Sequence, residues 1–520
     1  MVEHCDRWRL PAQAAPLATS NMNTIKRIVI LNLFLLSLSF ASTAQSNTEI
    51  IDRTIDAARK DWNVPGMSVV VVQDDKVVLS KGYGVRELGK NEVVDAQTLF
   101  GAMSTTKAMT AVAMSILVDE GKVSWSDKVT KHLPDFRIAD PYITAELEVR
   151  DLFTHNSGLS STDFLWARTP ELSPDEAVRR MQYARPSYSF RGGFAYHNSM
   201  YLVAGKVIEK AGGMPWDRFM VERVFRPLRM TNTYPTLDAA AMKNPNRSSA
   251  HFKIKGKIEV IPEMPIDSVA PAGSVWSSAD DIAKWVAFLL ADGKPLLKPA
   301  TMSEIFKPQV ILPSGFYPTF RLTKPKWTTY GLGWFQHDYR GEKVDMHTGS
   351  IAGRTAIVGL LRDKKLGVYI FGNLDHAEAR HALMYKVFDL FAFNDNSRDW
   401  TAEIKKLYDD IATDGEKRSA AQFARRINGT KPSLPLEKYT GTYSDPFYGT
   451  VEIKLVDGKL RAVIAKDLTA DLEHRHVDTF LAVYSKAWMG EGLVTFQLNP
   501  MTGDVTGVTS GGQTFRRQGN

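Results

Sequence analysis

Cysteine is almost absent from this sequence of 520 residues, whose only cysteine is Cys5. A single thiol excludes a disulfide framework within the chain, and it excludes thiol catalysis and cysteine-based zinc sites from everything after Cys5. A long hydrophobic run is missing as well. The most apolar segment, residues 28–40, has 13 residues, whereas a membrane-spanning helix needs about 20. We therefore expect no integral membrane span after signal cleavage.

The chain also has no long basic run. Its 65 Lys and Arg residues are interspersed with 58 Asp and Glu residues, which gives a net charge of +7. Such a mild, mixed charge does not predict a nucleic-acid partner. The composition, 44% hydrophobic and 24% charged, is that of an ordinary globular protein, and the length predicts two or more domains.

The N-terminal segment has the layout of a secretory signal peptide. Lys26 and Arg27 precede the apolar residues 28–40, and small residues follow up to Ala44. We predict that residues 1–44 are a leader and signal peptide cleaved after Ala44, so that the mature protein is periplasmic or secreted. Residues 1–21 do not suit the leading part of a signal peptide, which favours a translation start at Met22. The mature chain then has no thiol.

Strand patterns occur at both ends of the next region, residues 45–393. The β-branched segments 67–72 and 77–79 lie near its start, and the segments 330–336, 355–361 and 366–371 lie near its end. Helical and loop patterns fill the middle, roughly residues 127–296. This order predicts an α+β domain in which an antiparallel sheet is assembled from the two ends, with helices packed on it and a large helical insert.

The composition becomes charged and helical over residues 394–431, which predicts a connector. Residues 432–520 then show short strand patterns, with a strong hairpin signal at Asp457-Gly458. We predict a separate, small all-β barrel or sandwich. Its aromatic residues are expected to form its core: Tyr439, Tyr443, Phe480, Tyr484 and Phe496.

Ser104 is followed three residues later by Lys107, and a mostly apolar helix pattern continues to about residue 120. At helical spacing the two side chains lie on one face, one turn apart. A lysine whose pKa is lowered by burial can accept the proton of a serine hydroxyl and activate it as a nucleophile. The pair is common by chance, so it predicts chemistry only together with other motifs.

Two more motifs follow in order. Tyr196 and Asn198 belong to a Tyr-His-Asn triplet after a double glycine, and His347-Thr348-Gly349 precedes the strand pattern at 355–361. With the Ser104–Lys107 pair, they resemble the serine β-lactamase and penicillin-binding-protein superfamily. The most similar branch is that of the class C β-lactamases and the related D-Ala-D-Ala carboxypeptidases, D-aminopeptidases and esterases.

The resemblance spans about residues 47–393 and includes the stretches 153–159 and 271–277. Residues 439–443 resemble the start of the lipocalin-like domain that many exported members carry. The implied fold is therefore a class C β-lactamase-like sheet flanked by helices, followed by a lipocalin-like β-barrel. The family uses neither cofactor nor metal, and none is expected here.

The resemblance also implies catalytic roles. Ser104 is the expected nucleophile, and it forms an acyl-enzyme. Lys107 and Tyr196 are expected to share the general-base role, after which the tyrosine protonates the leaving group. Because the reference pKa of tyrosine is near 10, Tyr196 would need a neighbouring cation such as Lys107 to act as a base.

The remaining motif residues are expected to bind the substrate. Asn198 would bind the substrate amide, beside a strand formed by His347, Thr348 and Gly349. Gly349 is expected to leave room for the substrate, and the backbone N–H groups of Ser104 and Ser350 are the expected oxyanion hole. His347 stands where class C β-lactamases usually carry lysine, which weakens the case for a β-lactam carboxylate. Arg354 is a candidate for a replacement charge, with an exposed position as the alternative.

Other catalytic patterns find less support. Ser157 next to His155 is better explained as part of a turn that caps a helix, and no Gly-x-Ser-x-Gly elbow occurs. His474 and His476 lack acidic or thiol partners at metal-ligand spacing, and the pair His376 and His381 matches no zinc-protease pattern.

The sequence thus predicts an exported serine hydrolase that acts on a small peptide or ester. A peptidase acting next to D-amino acids in cell-wall or nonribosomal peptides is the first interpretation. A carboxylesterase on the same scaffold is the alternative, and a β-lactamase or a penicillin-binding sensor is a further one. Nothing in the sequence chooses an oligomeric state.

Overall fold

The valine-rich strand Gly66–Gln73 is the second strand of the main sheet, next to its edge strand, and is buried almost throughout, as suits β-branched residues covered on both faces. The computed structural model describes residues 46–163, 165 and 172–519. The predicted leader and signal peptide, residues 1–44, lies outside the described residues. From Ile51 onward the chain forms one compact unit.

The main sheet has eight strands and is antiparallel wherever register is defined. Gly66–Gln73 pairs on one side with Lys76–Gly84 and on the other with Leu366–Gly372, so the two ends of the region meet in one sheet as predicted. In spatial order the strands are Lys76–Gly84, Gly66–Gln73, Leu366–Gly372, Arg354–Leu361, Glu342–Ile351, Phe335–Tyr339, Thr328–Tyr330 and Val310–Ile311.

Two strand predictions were wrong in detail. The segment 330–336 is two strands, Thr328–Tyr330 and Phe335–Tyr339, because Gly331 and Gly333 break it with a turn. The strand Glu342–Ile351 was missed, since its mixed charged, polar and glycine residues give no alternating pattern. This strand carries His347, Thr348 and Gly349.

Helices surround the main sheet. The helix Thr106–Asp119, called the serine helix below, is buried on all sides from Thr106 to Leu117, which matches its apolar residues around the whole circumference. It packs against Ser199–Gly212 and Ala270–Gly273. Among the described residues, the other α-helices are Asn47–Asp61, Val129–His132, Pro141–Glu146, Pro174–Arg180, Trp216–Phe219, Leu237–Lys243, Ala279–Leu290, Pro299–Ile305, Phe320–Thr323, Ala379–Phe393 and Trp400–Ala424.

Short elements complete the region before the barrel. One small sheet joins Phe100–Gly101, Trp276–Ser277 and Thr233–Tyr234, and a hairpin joins Ala250–Ile254 to Lys257–Ile261. None of the helices in the described part of the chain is both long and apolar enough to cross a membrane.

The C-terminal strands close into an eight-stranded antiparallel barrel. The Asp457-Gly458 turn has both residues at positive φ, as the tight hairpin requires. The predicted aromatic residues pack in or against the barrel core. The strands are Gly441–Asp445, Gly449–Val456, Lys459–Ala465, Leu468–His476, Thr479–Tyr484, Glu491–Leu498, Val505–Ser510 and Gln513–Arg517. The α+β fold with a C-terminal β-barrel is thus confirmed.

Candidate active site

Ser104 lies in a short 3₁₀ turn, Met103–Thr105, immediately before the serine helix. The preceding Met103 has φ +50°, a left-handed conformation that is strained for a residue with a side chain. The sequence predicted Ser104 near the start of a helix, and the structure places it in this turn, two residues before the helix begins. The side chain is half-buried and lines a cavity of about 350 Å³.

Lys107 is buried in the first turn of the serine helix, and its amine makes three hydrogen bonds. Nζ lies 3.1 Å from Oγ of Ser104, 2.6 Å from Oδ1 of Asn198 and 2.9 Å from the carbonyl oxygen of Ala272. Burial lowers the pKa of Lys107 to about 7, although the negative charge of Asp163 opposes this shift. The amine is therefore partly neutral at neutral pH and able to accept a proton.

Tyr196 lies over the same amine, with its ring centroid 4.9 Å from Nζ of Lys107 and 4.3 Å from the ring of His155. Burial raises the pKa of Tyr196 well above 10, and the neighbouring Ser104 hydroxyl only partly offsets the rise. Within the described residues its hydroxyl has no hydrogen-bond partner of good geometry. The phenol is consequently neutral and has a proton to donate into the cavity.

Asn198 connects Lys107 to Asp163. Its Oδ1 accepts from Lys107, and its Nδ2 donates to Oδ1 of Asp163 at 2.8 Å. Asp163 also lines the cavity. Sequence reasoning missed Asp163 because no motif surrounds it. Only the fold brings this loop residue to the start of the helix Ser199–Gly212.

His347 lies on the strand Glu342–Ile351 and lines the cavity together with Ser104. Its Nδ1 donates to the carbonyl of Thr348 at 2.7 Å, which leaves Nε2 to accept from the hydroxyl of Tyr330 at 3.1 Å. Burial and the nearby Lys107 lower the pKa of His347 to about 3. The imidazole is therefore neutral, and it places no cation where a lysine would. Thr348 in turn pairs its hydroxyl with that of Tyr317 at 2.8 Å.

Gly349 is required by packing against the serine turn. A Cβ at this position would lie 2.5 Å from the carbonyl oxygen of Ala102, 2.8 Å from Cβ of Met103 and 3.0 Å from the nitrogen of Ser104. Room for the substrate, the expected reason for this glycine, stays a prediction, and the contact with the serine turn is a second reason. Because this strand abuts the turn, Ser104 and Ser350 both line the cavity.

Arg380 is a second residue that sequence reasoning missed. Its buried guanidinium donates to the carbonyls of Gly349 and Ala356 and pairs with the buried Glu378 at 3.1 Å. It therefore ties the cavity-lining strand Glu342–Ile351 to its neighbour Arg354–Leu361. Nothing in the sequence around Arg380 distinguishes it from an ordinary helix residue.

Arg354 supplies no charge to the cavity, and neither alternative expected for it was right. The side chain is fully buried, with Nη1 2.6 Å from Oγ of Ser248 and Nε 3.0 Å from Oε2 of Glu263. It also stacks on Trp276, with 4.5 Å between the guanidinium carbon and the ring centroid. A buried arginine stays only where such partners satisfy its charge.

The rival patterns do not form a second reaction centre. Ser157 is buried in a turn, and its Oγ pairs with Nε2 of His197 at 3.0 Å rather than with a helix end. His474 bonds the carbonyl of Val477, and His381 lies 3.5 Å from Glu378. In the described part of the chain, no three His, Cys, Asp or Glu side chains are grouped to hold a metal ion.

The fold and this geometry agree with comparisons to known proteins. Residues 51–389 match the family model described as Beta-lactamase. The chain belongs to the beta-lactamase family. Residues 425–517 of this beta-lactamase family protein match a second model, a domain of unknown function termed DUF3471, which covers the barrel strands.

Its relatives include named hydrolases. The chain is 30% identical over 431 residues to unguisins hydrolase ungD' of Aspergillus campestris, with 79% of this chain and 77% of the relative covered. It is 23% identical over 335 residues to protein flp of Staphylococcus aureus, with 62% of this chain and 63% of the relative covered. The predicted superfamily is thus confirmed.

Solved structures share the fold. An octameric penicillin-binding protein homologue from Pyrococcus abyssi superposes with a TM-score of 0.58 at 20% identity, covering 89% of this chain and 98% of that one. SurE superposes with a TM-score of 0.54 at 19% identity, covering 91% and 99%. At this identity the likeness concerns the fold.

Proposed function

We propose that this protein is a serine peptidase that cleaves peptide amides through an acyl-enzyme on Ser104. The observation that carries the proposal is the 3.1 Å contact between Oγ of Ser104 and the buried amine of Lys107, whose pKa is lowered to about 7. A base with a pKa near the working pH is the most effective one for removing a hydroxyl proton. Ser104 lines the cavity, and the buried Lys107 lies next to it.

In this proposal Lys107 acts as the general base and Tyr196 as the general acid. Lys107 accepts the proton of Ser104 while Oγ attacks the substrate carbonyl, and the backbone N–H groups of Ser104 and Ser350 stabilise the oxyanion. Tyr196 then gives its proton to the leaving nitrogen and recovers one from Lys107. Water attacks the acyl-enzyme by the reverse proton route and regenerates Ser104. The raised pKa of Tyr196 favours this acid role over the base role that the sequence suggested.

Substrate binding is proposed for the other motif residues. Asn198, His347, Thr348 and the backbone at Gly349 form the walls beside the reacting carbonyl, and three of them line the cavity. The neutral His347 and the apolar neighbours Ile266, Val269, Phe316 and Phe335 favour an uncharged peptide segment.

An amide substrate is favoured over an ester by Tyr196. An amine is a poor leaving group and must be protonated as it departs, whereas an alcohol or phenol needs this help less. The neutral phenol of Tyr196 above Lys107 supplies that proton. The name of the relatives from Aspergillus, unguisins hydrolase, also supports a hydrolytic reaction.

A β-lactam is disfavoured by the charge of the cavity. Among the described residues that line it, Asp163 is the only charged one, and its charge is negative. A carboxylate beside the scissile bond would meet no cation there. The same argument favours internal peptide bonds, or bonds beside a free amine, over the bond next to a C-terminal carboxylate.

The test compares three substrate classes on the purified protein. D-Ala-containing peptides, short p-nitrophenyl esters and a chromogenic cephalosporin are each incubated with the wild type and with Ser104→Ala. We expect peptide cleavage, a covalent adduct on Ser104 by mass spectrometry, and loss of both in the variant. Ester turnover without peptide cleavage would replace the peptidase with a carboxylesterase. A stable adduct with the cephalosporin and no turnover would indicate a sensor.

Export and domain division are part of the proposal. The signal-like residues 26–44 support secretion or a periplasmic location with cleavage after Ala44. We divide the mature chain into a hydrolase domain at 45–393, a helical connector at 394–431 and the barrel at 432–520. N-terminal sequencing of the protein recovered from the periplasm or medium tests the cleavage site.

A further inference from the structure

A second cleft, of about 750 Å³, lies where the barrel meets the hydrolase part of the chain, and it is called the barrel cleft below. The barrel contributes Leu468, Trp488 and Met489, and the hydrolase part contributes Phe252 and Met264. These side chains give the cleft a mainly apolar wall from both sides. None of them has a role in the reaction proposed above.

In two segments of the chain, one residue lines the catalytic cavity and the residue beside it lines the barrel cleft. At the end of the strand Glu342–Ile351, Ile351 lines the catalytic cavity and the next residue, Ala352, lines the barrel cleft. In the opposite wall, Ile266 lines the cavity while Met264 and Pro265 line the cleft. A substrate that passes Ser350 therefore reaches the barrel cleft next.

The charged groups around the barrel cleft are occupied with one another. Glu263 pairs with the buried Arg354, and Lys486 pairs with Asp467 at 2.5 Å. His376 lies 3.5 Å from Asp375. Because each of these charges has an opposite partner beside it, even where the pair is exposed to solvent as at Asp467 and His376, the cleft offers a ligand mainly its apolar surface.

The barrel side of the cleft is anchored to the hydrolase part. The turn Ala487–Met489 packs against the strand Ala250–Ile254. That strand bonds in turn to the end of the cavity wall, with His251 N donating to the carbonyl of Gly353 at 3.3 Å. These contacts hold Trp488 of the barrel in a fixed position relative to Ile351 and Ala352 of the hydrolase part.

The direction of the substrate follows from the position of Tyr196. Tyr196 protonates the leaving group in the proposed reaction, and its ring lies 6.1 Å from that of His347. The leaving group thus lies toward the His347 end of the strand, and the acyl part runs toward Ile351. At about 3.4 Å per residue, the step from Ser350 to Ala352 spans roughly two residues of an extended peptide.

We propose that the barrel cleft binds an apolar or aromatic side chain of the peptide substrate, about two residues N-terminal to the residue whose carbonyl acylates Ser104. The barrel would then select substrates for the acyl-enzyme reaction. This inference rests on the proposed function, since it assumes that Ser104 is acylated.

The test uses two p-nitrophenyl esters of equal length, acetyl-Gly-Gly-D-Ala and acetyl-Phe-Gly-D-Ala. The ratio of their kcat/KM values reports how much one aromatic side chain at the proposed position increases kcat/KM. We expect the wild type to favour the Phe ester by about tenfold, a range that one apolar contact in a pocket can supply. Trp488→Ala and Met264→Asp, which alter opposite walls, should each bring the ratio close to one. Met501→Ala, at an 89% exposed barrel position outside the cleft, should keep the wild-type ratio.

The outcomes separate the cleft from the reaction. A variant that is merely less stable lowers kcat/KM equally for both esters and leaves their ratio unchanged. Circular dichroism shows whether each variant is folded. Equal turnover of the two esters by the wild type, or an unchanged ratio in both folded cleft variants, would overturn the barrel cleft alone. No turnover or acylation with either ester would overturn the proposed function instead.

Discussion

Oδ1 of Asp163 accepts a 2.8 Å hydrogen bond from Nδ2 of Asn198, and this contact decides which end of the amide faces Lys107. Since the carboxylate can only accept, the NH₂ group points toward Asp163 and the carbonyl oxygen toward Lys107. Nζ of Lys107 donates to that oxygen at 2.6 Å. Asp163 therefore acts on the proposed base in two ways, through the orientation of Asn198 and through its own charge.

The charge of Asp163 should be visible in the pH dependence of the reaction. If Lys107 must be neutral to accept the proton of Ser104, kcat/KM rises with pH around the lowered pKa of Lys107, about 7. Asp163 raises this pKa. Asp163→Asn keeps a hydrogen-bond acceptor but removes the charge, so we expect the midpoint of the rise to move to lower pH.

The control for this experiment is Asp414→Asn, which removes an equal charge from an exposed position on the helix Trp400–Ala424. Its pH profile should overlay that of the wild type. An upward or absent shift of the midpoint in Asp163→Asn would show that Lys107 is not the group that titrates.

Burial of Lys107 should also shape the stability of the protein. The folded-state pKa of about 7 lies below the ordinary lysine value of 10.5, so the unfolded chain binds more protons between these two values. As pH rises from 7 to 10.5, this group should therefore increase the free energy of unfolding by up to about 1.4 kcal/mol per pH unit. Lys107→Met lacks the amine, so its free energy of unfolding should not show this increase with pH.

Urea unfolding at several pH values between 7.5 and 9.5 measures the difference between the two proteins. Ser104→Ala leaves the buried amine in place and should follow the wild type. A stability difference between wild type and Lys107→Met that stays constant over this window would contradict a buried lysine with a lowered pKa.

The residues of the candidate site were easier to single out from the sequence than their packing. Ser104, Lys107, Tyr196, Asn198 and His347 were singled out because their residue types and order are characteristic. The structure places four of them around one cavity, and Lys107 is hydrogen-bonded to Ser104. The two-ended sheet and the barrel were found because hydrophobic patterns of period two survive in single strands.

What the sequence did not predict depends on long-range contacts. Asp163 and Arg380 act through partners that only the folded chain brings near. The strand Glu342–Ile351 was missed because it is stabilised by strands on both sides rather than by its own pattern. The burial of Arg354 depends on Trp276 and Glu263, which lie 78 and 91 positions away.

Gly349 offers a test of how the strand positions the nucleophile. Gly349→Ala introduces a Cβ that would lie 2.5 Å from the carbonyl oxygen of Ala102, so the serine turn or the strand must shift. Overpacking of this kind costs about 1–3 kcal/mol of stability. A displaced nucleophile should also lower kcat/KM by about 100-fold, measured on the p-nitrophenyl esters.

Gly415→Ala is the matched control. Gly415 lies within the helix Trp400–Ala424, and an added Cβ meets nothing within 4 Å. Removing a glycine from a helix interior should stabilise the protein by up to about 1 kcal/mol and leave kcat/KM unchanged. Full activity in Gly349→Ala would refute a direct contact between the strand and the serine turn.

A titration near neutral pH has two candidate groups in this site, His347 and Lys107. The pKa of His347 is lowered to about 3, so the imidazole stays neutral from pH 5 to 9 and acts only as a hydrogen-bonding group between Tyr330 and Thr348. His347→Gln retains a donor and an acceptor and adds no charge. We expect kcat/KM to fall by less than about tenfold, the loss of one or two imperfect hydrogen bonds. The midpoint near pH 7 should stay in place, because it belongs to Lys107. A flat pH profile in His347→Gln, together with an unchanged profile in Asp163→Asn, would assign the titration to the histidine and remove Lys107 as the base.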